Sequence, residues 1–219
     1  MEIKKVAVIG AGVMGAAIAA QAANAGYQVE LLDIVPKNNP DRDFNAKDAI
    51  EKMVKAKGNV QPFMHKKNAK LIRPGNLDDH MDRLKDCDLI IEAVIENPAI
   101  KSSLFKKIDA ARKAGAIIGS NTSTIPLSVL AEGQSDAFKK DFMITHFFNP
   151  PRYMELLELV TSKENDPKSV QAIAKFMDEK MGKGVIVCKD TPGFIANRIG
   201  TFWIQSAINA AYNNKLTVE

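Results

Sequence analysis

Two groups of residues in this chain have the types and spacing that chemistry requires. The first is His146-Phe147-Phe148-Asn149-Pro150, with Glu158 twelve residues beyond the histidine. Both ionisable side chains fall within a largely apolar run from Phe142 to Val160. A buried histidine or glutamate is costly unless it is paired, and such pairs are where general-base chemistry is found. Imidazole titrates close to neutrality, which suits it to proton transfer. A neighbouring carboxylate fixes its tautomer and stabilises the imidazolium that forms. Taken singly, His146 reads as a satisfied structural residue and Glu158 as half of an ion pair. Taken together in one apolar neighbourhood, they read as a base and its partner.

The second group is Gly10-x-Gly12-x-x-Gly15, preceded by Val6-Ala7-Val8-Ile9. The first glycine permits a tight turn, the second leaves room for a pyrophosphate, and the third lets helix and strand pack closely. Ala11, Val13 and Met14 complete the loop, whose free N–H groups and helix dipole favour phosphate. Three glycines at this spacing are unspecific alone. Here they follow a strand, open a helix and are accompanied by an acid at the end of the next strand, Asp33. Asp33 is expected to accept hydrogen bonds from an adenosine ribose and to repel a 2′-phosphate. No Arg or Lys follows it directly, the next residues being Ile34-Val35-Pro36. The pattern predicts NAD rather than NADP. With the base and its partner, it predicts a nicotinamide-dependent dehydrogenase.

These groups must be held by a scaffold. Ile3 to Ile9 is a nearly continuous apolar run, as in a strand buried on both faces. Val13 to Ala25 reads as a helix closed by Gly26 in a left-handed conformation, and Tyr27 to Leu32 as a second strand. That is β-α-β in about 30 residues. The polar, basic stretch from Asp41 to Arg73 predicts an inserted helical pair, its first member spanning Ala46 to Lys57, with Gly58 and Pro62 as interruptions. Further strands are expected at Cys87–Val94, Gly115–Gly119, Phe142–Ile144, Leu156–Val160 and Val185–Val187. Further helices are expected at Lys101–Lys113 and Pro167–Gly182, and Ile125 to Asp141 reads as a loop. The alternation predicts an α/β fold, a Rossmann-type, mostly parallel sheet with helices on both faces.

On that scaffold His146 falls just after a strand, where the ligand crevice of such sheets lies. Ser120-Asn121-Thr122-Ser123 ends another strand, and its polar groups either cap the turn or line the same crevice. Asp190-Thr191-Pro192-Gly193-Phe194 starts the final helix, with Pro192 near its first turn. Asn197, polar among apolar neighbours, needs a partner from protein or ligand. From Phe194 to Tyr212 apolar residues cover most of the helix circumference, so this helix must be buried, by further chain or by a second copy. Thr217 has the look of an N-cap for another helix.

Charge and composition exclude several classes. The net charge of +4 is too small an excess to argue for nucleic acid. No apolar run is long enough to span a bilayer, and Met1-Glu2-Ile3-Lys4-Lys5 leads straight into a strand with no secretory signal, so a cytoplasmic protein with no membrane partner is expected. Cys87 and Cys188 read as reduced, buried thiols, and no metal site is expected. Lys52, Lys55, Lys57, Lys66, Lys67, Lys70 and Arg73 crowd a segment whose one acid is Glu51. That segment is either a solvated face or a surface that attracts a phosphorylated ligand.

The motif set resembles the L-3-hydroxyacyl-CoA dehydrogenase family of fatty-acid β-oxidation over nearly the whole chain. The most specific pieces are Ser120-Asn121-Thr122-Ser123, His146-Phe147-Phe148-Asn149-Pro150 with Glu158, and Asp190-Thr191-Pro192-Gly193-Phe194 with Asn197-Arg198. The resemblance implies oxidation of an (S)-3-hydroxyacyl-CoA with NAD, His146 acting as base on the 3-hydroxyl and Glu158 as its partner. It implies Ser123 and Asn197 as polar groups on the substrate side. It implies Glu96, Lys101, Ser123 and Asn149 as contacts of the nicotinamide half of NAD. It also implies that the inserted helical pair touches CoA, with Lys52, Lys55 and Lys57 as candidates. Members of the family carry an all-helical second domain that closes the cleft and forms a homo-oligomer. Residues 1–191 then correspond to the NAD-binding domain and 192–219 to the first helix of an otherwise missing helical domain. The sequence is similar to the subgroup in which more protein follows, sometimes an enoyl-CoA hydratase. The alternatives are a related dehydrogenase acting on a hydroxy acid without CoA, and a dinucleotide-binding module without turnover.

Overall fold

Apolar alternation along the strands sets the architecture. In β1 (Lys5–Ile9), Val6 and Val8 point to one face of the sheet, Ala7 and Ile9 to the other, and all four are fully buried. A strand apolar on both sides needs a layer on each side, the requirement that parallel sheets meet with helices. The same split recurs in β2 (Gln28–Asp33), with Val29 and Leu31 opposed to Leu32, and in β4 (Leu89–Glu92), with Leu89 and Ile91 opposed to Ile90. The computed structural model describes residues 2–217. The remaining described strands are β3 (Ile72–Asn76), β5 (Ile117–Ser120), β6 (Phe142–Phe147), β7 (Leu156–Val160) and β8 (Gly184–Cys188). They form one sheet of order β3-β2-β1-β4-β5-β6-β7-β8. Every neighbouring pair is parallel except β6 and β7. The order reverses direction between β1 and β4, the switch point at which such sheets open a crevice beyond the strand ends.

One face is covered by α1 (Val13–Asn24), α2 (Phe44–Lys55) and α6 (Pro167–Glu179), the other by α3 (Pro98–Ala111), α4 (Leu127–Ala131) and α5 (Asp136–Asp141). Helix α1 is made of small residues, and this lets it lie close to the sheet. It ends in a Schellman arrangement, Tyr27 N–H donating to Ala22 O at 3.1 Å and Gly26 N–H to Ala23 O at 3.0 Å, with Gly26 at φ +87°. Asn97 caps α3 and Asp166 caps α6, each followed by a proline at the first helical turn.

Several sequence expectations need correction. Two short helices, α4 and α5, occupy the stretch expected to be a loop; Ser135 caps α5. The inserted helical pair consists of α2 and a 3₁₀ helix, Lys66–Leu71. It is followed by β3, which sequence reading missed because Arg73-Pro74-Gly75 has neither alternation nor β propensity. Pro192 lies in a turn rather than in the helix, and α7 (Ala196–Asn213) begins four residues later. Instead of being buried, α7 leaves Ile199, Phe202, Trp203, Ile204, Ile208 and Tyr212 more than half exposed among the described residues. The helix expected after Thr217 lies outside the described residues. No described helix is long and apolar enough to cross a membrane.

Two outcomes follow from this packing. An added Cβ at Gly15 would stand 1.8 Å from the carbonyl oxygen of Gly10. Helix propensity alone favours Gly15→Ala, but the clash reverses the sign, and the thermal midpoint should fall, reflecting about 1–3 kcal/mol lost to overpacking. A midpoint equal to or above that of the unsubstituted protein would contradict the clash. Burial pushes the Cys87 thiol up to about 12 and that of Cys188 up to about 11. Neither is a thiolate at pH 8, so a disulfide thiol reagent should label both only after denaturation.

Candidate active site

Antiparallel pairing of β6 with β7 sets His146 directly opposite Glu158. Residues opposed in this way project to the same side of the sheet, and Nδ1 of His146 lies 2.8 Å from Oε2 of Glu158. The histidine is 6% exposed and the glutamate 1%. His146 therefore sits inside β6, which runs to Phe147, rather than just past a strand ending at Ile144. The rings of Phe148 and Phe194 flank the imidazole, with centroids 4.5 and 5.7 Å away. With Nδ1–H donating to the carboxylate, the lone pair on Nε2 is left to take a proton.

The second oxygen of Glu158 is used as well. Oε1 accepts the N–H groups of Ile195 at 2.9 Å and Ala196 at 2.8 Å, where α7 begins. These are amides that a helix start leaves without intrahelical partners, and its dipole favours a negative charge there. Gly193 and Phe194 reach this position with φ of +75° and +48°. The second value is strained for a bulky residue. At the second residue of α7, Asn197 Nδ2 donates to the carbonyl oxygen of Ser123 at 3.4 Å. His146, Glu158, Asn197 and Ser123 are thus linked through backbone and side chains.

Ser123 belongs to a turn held by Glu96. Oε1 of Glu96 accepts from the Thr122 hydroxyl, from Ser123 N–H at 3.1 Å and from Thr124 Oγ1 at 3.0 Å. Burial pushes the Glu96 carboxyl up, but the Thr122 hydrogen bond and the Lys101 charge outweigh it and hold it below the usual carboxylate range. Lys101 Nζ lies 3.2 Å from Glu96 Oε2 and 2.6 Å from Glu92 Oε1. It is 1% exposed, held between two carboxylates. Asn149 is exposed and lines a cleft against α2.

The glycine loop fits the cofactor it was expected to hold. Gly10 takes φ +102°, and a Cβ there would sit 2.5 Å from Ala93 O. A Cβ on Gly12 would meet nothing within 4 Å, so the space over the loop is open to a ligand. Asp33 closes β2 and accepts from Ala11 N–H and, at 2.6 Å, from Ile34 N–H, anchoring the loop. Two clefts flank the loop and share Gly12 and Asp33. One, of about 760 Å³, continues past Ile34, Val94, Ile95 and Lys107. The other, of about 750 Å³, runs past Val13, Met53, Lys52 and Asn149 toward Pro150. Lys52 and Lys55 are ion-paired to Asp48 and Glu51. Lys55 and Lys57 are exposed and line neither cleft.

Glu92 and Lys107 were missed by sequence reading, and Thr122 was read only as part of the Ser120-Asn121-Thr122-Ser123 run. Glu92 carried the same signal as Glu158, a carboxylate ending an apolar run, Leu89-Ile90-Ile91. Lys107 continues the helical face Ile100, Ser103, Leu104 along the cleft.

Taken together, the reversed strand order and the glycine cradle define a dinucleotide-binding α/β domain, with a buried histidine–glutamate pair at its crevice. Residues 5–191 match the model for the 3-hydroxyacyl-CoA dehydrogenase NAD-binding domain, and the chain belongs to that family. It is 50% identical over 208 residues to a probable 3-hydroxyacyl-CoA dehydrogenase of Deinococcus radiodurans, a match covering 95% of this chain and 60% of the relative. It is 36% identical over 217 residues to a 3-hydroxybutyryl-CoA dehydrogenase of Bradyrhizobium diazoefficiens, covering 99% and 72%. A solved structure of the Escherichia coli K12 3-hydroxybutyryl-CoA dehydrogenase superposes with a TM-score of 0.82 at 27% identity, covering 99% of this chain and 44% of that one. The chain thus spans less than two thirds of the Deinococcus relative's length.

The double use of Glu158 separates two substitutions. Glu158→Gln keeps an oxygen for the Ile195 and Ala196 amides, whereas Glu158→Ala removes it. Hydrogen exchange at those two amides should stay slow in the first variant and accelerate at least about ten-fold in the second, the change expected for a lost charge-assisted bond. Equal exchange in both would show that Glu158 does not tether α7.

Proposed function

We propose that the protein oxidises (S)-3-hydroxyacyl-CoA thioesters to 3-oxoacyl-CoA with NAD, as a step of fatty-acid β-oxidation. The observation that carries this reading is the buried His146–Glu158 pair at the carboxyl end of β6. The names of the relatives support the substrate class. NAD, held by Gly10, Gly12, Gly15 and Asp33, supplies the hydride acceptor. His146 Nε2 takes the proton of the 3-hydroxyl as the C3 hydrogen departs as hydride, and Glu158 stabilises the imidazolium. Ser123 and Asn197 orient the substrate oxygens, and Glu96, Lys101 and Asn149 serve the nicotinamide half of the cofactor. Lys52, on the wall of the cleft between the glycine loop and α2, is the best placed of the three candidate lysines to meet CoA. Residues 192–219 begin a helical domain through which the whole protein forms a homo-oligomer. The exposed apolar side of α7 and the greater length of relatives support this.

Acetoacetyl-CoA should oxidise NADH in the presence of the protein, and acetoacetate should not. His146→Ala should lower kcat by about 10²–10⁴, the usual contribution of a general base, with the NADH dissociation constant nearly unchanged. Turnover at the unsubstituted rate in that variant would overturn the assignment. Calorimetric titration should show NADH bound more tightly than NADPH. Equal affinities would discard the reading of Asp33.

A further inference from the structure

We propose that Glu92, at the end of β4, gives the nicotinamide end of the cleft an uncompensated negative charge, and that this charge makes the site favour the oxidised cofactor over the reduced one. The inference rests on the dehydrogenase reading above.

Glu92 is fully buried. Its Oε1 accepts from Lys101 Nζ at 2.6 Å and Val94 N–H at 2.7 Å, and its Oε2 from Ser120 Oγ at 2.5 Å. Lys101 is shared with Glu96. Two carboxylates against one ammonium leave one negative charge over. Holding Val94, Ser120 and the Ser123 turn in place does not call for that charge. A glutamine at 92 could accept from Val94 N–H, and Lys101 would retain Glu96. Taking the Glu92 carboxylate fully out of water carries a desolvation cost that an ion pair offsets only in part. A charge kept at that cost, with no structural task requiring it, points to an electrostatic one.

Its place in the fold identifies the task. The switch point divides the crevice: Asp33 ends β2 on the adenosine side, while Glu92, Ser120 and His146 lie toward the carboxyl ends of β4, β5 and β6. The reacting ring must approach the substrate that His146 deprotonates, so it belongs to the second half. Lys107, the cation that lines the cleft running past Asp33 and Ile34, lies two turns along α3 from Ile100, whereas Glu92 and Lys101 are buried beneath the lining residues Ala93 and Val94. The nicotinamide ring is cationic when oxidised and neutral when reduced. A negative charge in a poorly solvated wall therefore acts on one form and not on the other.

The test uses the chain as described, with NAD+ and NADH titrated separately by calorimetry. The variants are Glu92→Gln, Lys101→Met and the two combined. The triad changes from one negative charge to none, to two, and back to one. The preference for NAD+ over NADH, as a ratio of dissociation constants, should fall about five-fold in Glu92→Gln and rise comparably in Lys101→Met. It should return to within about two-fold of the starting ratio in the double variant. A ratio that ignores these charges while both cofactors still bind would overturn the proposal and leave Glu92 a structural residue. Should Glu92→Gln fail to fold, Lys101→Met and the double variant decide by the same rule. Failure of both cofactors to bind the unsubstituted chain would instead overturn the dehydrogenase reading.

Discussion

The carboxylate of Glu158 is shared between two structures that otherwise have little to hold them together. One oxygen faces His146 and the other receives the first amides of α7. A buried carboxylate tolerates this position because both its oxygens are answered, one by two backbone N–H groups and the other by imidazole. The pairing in turn depends on β7 running against β6. If β7 were parallel to β6, the connection would need a crossover of a dozen residues or more, and His146 and Glu158 could not face each other across so short a loop. The change of strand direction at β7 thus places the base and its partner in register. The strained Gly193-Phe194 corner then delivers the helix start to the remaining oxygen.

The rest of the site is arranged as a ring of linked groups around the strand ends. Glu92 holds Lys101, Lys101 holds Glu96, and Glu96 holds the turn that carries Ser123. The carbonyl of Ser123 receives Asn197, which lies on the helix that Glu158 tethers. Groups from β4, α3, β5, β7 and α7 are thereby positioned relative to one another by hydrogen bonds rather than by apolar contact, which has little directional preference. The apolar layers provide the rigid platform beneath.

Much of this was legible before the fold was known. The glycine loop, Asp33 and the His146–Glu158 pair could be read because each couples a residue type to a period or a spacing that few alternatives share. The two-sided burial of β1, β2 and β4 shows as runs of β-branched and aliphatic residues. What escaped reading depends on long-range context. β3 contains Pro74 and Gly75 and is a strand only because β2 offers an edge to pair with. Helices α4 and α5 are too short for periodicity to accumulate, and α4 is fixed by Asp190, more than sixty residues away, which accepts the N–H groups of Leu127 and Ser128. Lys101 could be named from resemblance, but not its enclosure between two acids, because the spacing of Glu92, Glu96 and Lys101 brings them together only once α3 folds back over the strand ends.

The two edges of the sheet are unequal. At β3, Pro74 has no N–H to offer an incoming strand, and exposed Arg73 adds a charge, so that edge is blunted. At the other edge β8 has neither device. Its centre is Val185-Ile186-Val187, with Ile186 and Val187 well exposed. Misplaced strand addition, the first step of aggregation, therefore has one place to begin on this sheet. Coverage of β8 by other protein would act as a guard on solubility.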